Sequence, residues 1–139
     1  MPKAKKIVLD SFALIGYLEN EPFSAHVEKL LEQARDNKVR IYLHALHLGE
    51  VYYITLREQG RDMAELAYSR IKAFPLTLID TIDEALLKTA AVLKARYPIS
   101  YADAFAAAMA IRQKSALLTG DPEFKVLEKK EDISIEWLS

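Results

Sequence analysis

Glu50 lies in LHLGEVYYITL, residues 46–56, where nearly every neighbour is apolar. As a helix, this segment would be buried on most of its circumference. The residues one turn from Glu50 are Leu46, His47, Tyr53 and Ile54, so no Lys or Arg is placed to pair with it. An unpaired carboxylate in such surroundings is costly unless something else compensates it. Asp10, Asp80, Asp103 and Asp121 all stand near the ends of apolar segments. Carboxylates converging on one pocket would repel one another, and a divalent cation would remove that repulsion. Such a cation could activate water and stabilise the attacking and leaving oxygens of a phosphodiester.

Each aspartate also has an ordinary explanation. Asp10 precedes Ser11 and a helical segment, where it would serve as an N-cap. Asp80 followed by Thr81 has turn-and-cap chemistry. Asp103 lies three residues after Ser100, the spacing of a capping box. Asp121, in GDPEF, suits a type I turn before Pro122. Only Glu50, in mid-helix, has no local structural task. His44 and His47 are three residues apart and could ligate a metal, but no HExxH pattern accompanies them. They and His26 read as packed or surface histidines. The glycines at 16, 49, 60 and 120 never cluster into a phosphate loop.

The elements that must position these side chains alternate along the chain. KIVLD, VRIYLHA, PLTLID, SALLTGD and ISIEWL read as short strands bounded by polar residues. Between them SFALIGYLEN, EPFSAHVEKLLEQARDNK, ALHLGEVYYITLREQG, RDMAELAYSRIKAF, TIDEALLKTAAVLKARY and ISYADAFAAAMAIRQK read as helices. Pro22 falls near the first turn of the second helix, and Gly60 closes the third. Thr81 and Glu84 have capping-box spacing at the start of the fifth. The alternation predicts an α/β protein, a three-layer α/β/α sandwich around a mostly parallel sheet. In such sheets functional residues gather beyond the carboxyl ends of the strands, where Asp10, Asp80 and Asp121 fall. The alanines at 104, 106, 107, 108 and 110 let their helix approach the sheet closely, which would set Asp103 deep in the cleft.

Composition narrows the possibilities. The 139 residues suit a single domain spanning 1–139, 51% hydrophobic and 28% charged. The absence of cysteine excludes a disulfide framework, a thiolate metal site and a thiol nucleophile. Hard oxygen ligands then favour Mg²⁺ or Mn²⁺ over Zn²⁺. The formal net charge is −1, so no basic excess supports tight non-specific nucleic-acid binding. Local clusters such as Lys3, Lys5 and Lys6 read as solvated surface. MPKAKK is followed by too short an apolar run for a signal peptide, and no membrane-spanning run follows, so a cytoplasmic protein is expected.

Taken together, the strand ending in Asp10-Ser-Phe-Ala-Leu, Glu50 in its apolar helix, SYADAFAAAMA and LLTGDPEF resemble a PIN domain. Specifically, they resemble the single-domain PIN proteins of the VapC toxin type, and the resemblance covers essentially the whole chain. The resemblance implies a metal-dependent endoribonuclease leaving 5′-phosphate and 3′-hydroxyl ends. It further implies that Asp10, Glu50, Asp103 and Asp121 are the catalytic acids, holding Mg²⁺ or Mn²⁺, with Thr119 in support. A homodimer and a small inhibitory antitoxin are implied as partners, with Phe12, Tyr17, Tyr52 and Tyr53 as a contact region. PIN domains often carry Ser, Thr or Asn two residues after the first Asp; here Phe12 stands there, and the adjacent Ser11 is expected to point elsewhere. A PIN nuclease of RNA maturation or decay shares these motifs. A non-catalytic PIN-like binding module is disfavoured by the intact acidic set. A haloacid-dehalogenase phosphatase would need an aspartate at position 12.

Overall fold

The computed structural model describes residues 4–139, so Lys3 lies outside the described residues. Five strands, β1 (Lys5–Leu9), β2 (Val39–His44), β3 (Thr77–Ile79), β4 (Ala116–Thr119) and β5 (Ser134–Trp137), form one sheet in the order β3-β2-β1-β4-β5. Every ladder is parallel. Helices α1 (Ser11–Leu18), α2 (Ser24–Arg35), α3 (Ala45–Gln59) and α4 (Arg61–Lys72) supply the apolar side chains of one core. Helices α5 (Glu84–Arg96), α6 (Tyr101–Gln113) and α7 (Lys125–Lys130) supply those of a second.

The period of two along β1 explains why both faces are covered. Ile7 and Leu9 enter the first core, whereas Val8 enters the second, and all three are fully buried. A strand apolar on both faces needs helices on both sides, which gives the three layers expected. On α6, residues Ala104 to Ala110 are all buried, Phe105 and Met109 among the alanines. Small side chains let this helix seat closely over β1 and β4, and its first turn carries Asp103.

Three local expectations differ from the structure. The cap of α5 is Asp83, whose Oδ1 accepts the Leu86 amide at 2.8 Å, not Thr81. Aspartate directly before the helix reaches an exposed amide that Thr81, two residues earlier, does not. The second helix begins at Ser24 rather than near Pro22. After β4, where the sequence suggests only a turn, a 3-10 turn over Pro122–Phe124 leads into α7.

Gly16 is a packing necessity. A Cβ on it would overlap the Phe23 ring, which stacks on Phe12 with centroids 5.8 Å apart. Gly16→Ala is therefore expected to lose about 1–3 kcal/mol of stability despite alanine's better helix propensity, a balance that chemical denaturation measures. A variant as stable as wild type would show that Phe23 moves aside freely. Among the described residues no helix is long and apolar enough to cross a membrane.

Candidate functional site

The strand order turns at β1, which lies between β2 on one side and β4 on the other. In open parallel sheets, ligand sites form outside the carboxyl ends of the strands at such a switch point. Asp10 directly follows β1, and Asp121 follows β4 by two residues. Glu50 comes from the second turn of α3 and Asp103 from the first turn of α6.

Thr119 locks two of these loops together. It is fully buried, and its hydroxyl donates to Asp10 Oδ2 at 2.5 Å. The same oxygen accepts the Asp121 amide at 3.1 Å. A hydroxyl can donate and accept at once, so one side chain fixes Asp10 relative to Asp121. Asp10 also caps α1, its Oδ1 accepting the Ala13 amide at 2.9 Å. The capping reading of this residue is thus correct, and the second carboxylate oxygen is the one that Thr119 holds. Ser100 likewise caps α6 by accepting the Asp103 amide at 3.0 Å.

Asp121 Oδ1 accepts the Glu123 amide at 3.0 Å and opens the 3-10 turn, which buried Phe124 anchors. This fold-back brings in an acid absent from the candidate set. Carboxylate oxygens of Asp103, Asp121 and Glu123 all lie within 4.8 Å of one another. The hint in the sequence was slight: an acid two residues after Asp121, in a segment that reads as an ordinary turn. Asp10 and Glu50 flank this group rather than join it. Asp80 is exposed beyond edge strand β3 and keeps only its turn reading.

The electrostatics report crowding. Burial raises the Asp10 carboxyl to about 7, and the charges of Asp121 and Glu50 add to the rise against the hydrogen bonds from Thr119 and Ala13. Burial also raises Asp103 to about 7, with Glu123, Asp121 and Asp10 pushing the same way. Glu50 is raised by burial, which the Ser11 hydroxyl partly offsets. The side chain at position 12 brings no hydroxyl or amide to the site. Phe12 lies instead over Gly120, where a Cβ would come within 2.6 Å of its ring. Among the described residues no Lys or Arg forms an ion pair with Asp10, Glu50, Asp103, Asp121 or Glu123. Glu50 Oε1 is buried without any hydrogen-bond partner. Uncompensated carboxylates with an orphaned oxygen are a donor set that fits a hard divalent cation.

His44 and His47 are buried in the interior, at 2% and 0% exposure, and belong to no acidic group among the described residues. Tyr17 and Tyr52 hold helices together, bonding Glu28 and Glu65, while Phe12 and Tyr53 remain exposed.

Three layers around an all-parallel sheet, with acids gathered at its switch point, define an α/β protein with an acidic crevice. The PIN domain model matches residues 7–130, and the chain belongs to the PIN-domain family. No curated protein sequence matches the chain. Among solved structures, a chain of VapBC2 from Rickettsia felis bound to a promoter DNA fragment superposes with a TM-score of 0.77 at 15% identity, over 96% of this chain and 99% of that one. DNA-bound VapBC from Salmonella typhimurium gives 0.72 at 15% identity, over 96% and 98%. VapBC-1 from nontypeable Haemophilus influenzae gives 0.67 at 16% identity, over 94% and 96%. At these identities the likeness is one of fold.

Proposed function

We propose that the protein is a metal-dependent endoribonuclease of the VapC toxin type, cutting RNA to leave 5′-phosphate and 3′-hydroxyl ends. The observation that carries the reading is the group of carboxylates at the β1/β4 switch point, Asp10 buried and Asp103, Asp121 and Glu50 half-buried, with no basic partner, in a chain of a nuclease family. Asp10, Glu50, Asp103 and Asp121 would hold Mg²⁺ or Mn²⁺, and Glu123 is placed to join them. When bound, the cation supplies positive charge for the phosphodiester and activation of water.

The chain's own residues do the rest. Thr119 holds Asp10 and the Asp121 backbone in one arrangement, so little reorganisation is left for the moment of reaction. Any of the acids is placed to take a proton. Held as anions, they would repel an RNA backbone, so substrate binding should depend on the cation as strongly as the chemistry does.

A small antitoxin fits the same reading, since several of the similar structures are VapBC proteins and another is a toxin–antitoxin complex from Klebsiella pneumoniae. A groove of about 320 Å³ between α1, α3 and α4 is lined by Ile15, Leu18, Thr55, Met63, Leu66 and Ala67, with Leu66 exposed. With Glu19, Gln59 and Arg70 also in its lining, it offers such a partner a seat of mixed apolar and charged character, and a homodimer belongs to the same proposal.

The test is cleavage of a defined RNA pool by the wild type in Mn²⁺, in Mg²⁺ and in EDTA, beside Asp103→Asn, with the ends of the products determined. Cleavage in either metal, absent in EDTA and reduced about a thousandfold or more in the variant, is expected from the several kcal/mol a divalent ion contributes. Cleavage undiminished in EDTA would refute the metal reading, and 2′,3′-cyclic phosphate ends would refute hydrolysis by water.

A further inference from the structure

His44 and His47 stand one helical turn apart at the start of α3, and the function proposed above gives neither of them a task. Their hydrogen bonds fix their tautomers. His44 Nδ1 accepts the Leu46 amide at 3.0 Å, so its Nε2 carries the hydrogen and donates to the Thr81 carbonyl at 2.9 Å. That ring caps α3, which accounts for it. His47 caps nothing. Its Nε2 lies 2.8 Å from the Ala102 carbonyl, an acceptor only, so this nitrogen too must be the donor. Its Nδ1 is left as a buried acceptor without a partner. Burial holds the ring's pKa down at about 4, with His44 adding to the effect and the Ala102 carbonyl opposing it, so the imidazole is neutral.

A fully buried imidazole with one nitrogen unsatisfied is a poorer core residue than leucine of similar size, because an orphaned acceptor has given up water for nothing. Packing alone does not explain His47. The two ends of its bond do. His47 lies three residues before Glu50 on α3, and Ala102 directly precedes Asp103 on α6. The Ala102 carbonyl serves the helix ladder of α6 with one lone pair, and the imidazole takes the other. Among the described residues this is the side-chain hydrogen bond that joins α3 to α6.

We propose that His47 is a positioning residue that sets the separation of Glu50 and Asp103 by pinning α3 to the first turn of α6. The inference rests on the metal-site reading given above. Cation coordination tolerates errors of only about 0.2 Å in ligand distance, and a single hydrogen bond between the two ligand-bearing helices is worth keeping for that reason. Outer partners of this kind typically change metal affinity by about 10–100-fold when removed.

The measurement is Mn²⁺ binding by calorimetry on the whole protein, at about pH 8 so that carboxyl protonation does not limit binding. His47→Leu fills the space without a donor, and His47→Gln restores an N–H able to reach the carbonyl. The Leu variant is expected to bind Mn²⁺ at least about tenfold more weakly, with its melting midpoint in EDTA unchanged or raised. The Gln variant is expected to return to within about threefold of wild type. His47→Met, donor-free and more adaptable in shape, replaces Leu if that variant fails to fold. A donor-free variant that binds as tightly as wild type overturns the positioning role and leaves the metal site standing. A Gln variant as weak as Leu overturns it as well. A wild type that binds no Mn²⁺ overturns both readings.

Discussion

Asp10→Asn is expected to stabilise the metal-free protein while removing its metal-dependent activity. Burial raises the Asp10 carboxyl from an ordinary 3.8 to about 7. The unfolded chain therefore releases this proton near pH 4, whereas the folded protein keeps it until about 7. Between those values the folded state binds more protons than the unfolded state, so stability falls as pH rises, and it levels off above 7. A shift of about three units corresponds to roughly 4 kcal/mol at the plateau. Asparagine removes that cost but fits the Thr119 hydroxyl less well. The net gain should be about 2–4 kcal/mol at pH 8, or roughly 5–15 °C in EDTA, and should vanish near pH 4. Added Mn²⁺ should raise the midpoint of the wild type and not that of the variant. RNA cleavage should fall by about a thousandfold or more. If the variant is less stable than wild type in EDTA at pH 8, Asp10 is a satisfied helix cap and the cluster is no cation site. The sign of one melting shift thus separates the two meanings of this residue.

Mn²⁺ affinity should rise steeply with pH up to neutrality. Asp10 and Asp103 both hold their protons to about 7, so below that pH the cation must displace two of them. The logarithm of the binding constant should then gain nearly two units per pH unit in acid and flatten above pH 8. Between pH 5 and 7 this amounts to more than about a thousandfold. Calorimetry in buffers of different ionisation enthalpy counts the released protons directly. Affinity independent of pH across that range would mean that the carboxylates are already ionised and therefore compensated by something else. With Asp10→Asn the slope should fall to about one if any binding survives.

The family resemblance and the three-layer architecture were legible before the fold, and for physical reasons. Strand burial on both faces writes continuous apolar runs, so KIVL and ALLT announce a parallel sheet. Glu50 stood out because a carboxylate among apolar helical neighbours has no local explanation. Thr119 and the four acids came with motifs whose spacing is short, as in SYAD and LLTGD. What failed was local in appearance but tertiary in cause. Glu123 looked like a turn residue until the 3-10 turn anchored by Phe124 carried its carboxylate beside Asp103 and Asp121.

Sequence by itself determined most of the helices and strands, α7 excepted, and that Glu50 lacked a local partner, because periodicity, capping and pairing are settled by residues a few positions apart. Tertiary structure alone decided which of them meet. The Thr119–Asp10 bond joins residues 109 positions apart, and the His47–Ala102 bond joins residues 55 apart. Contacts over such separations follow from the order β3-β2-β1-β4-β5 and the seating of α6, and these are products of whole-core packing rather than of any short stretch of chain.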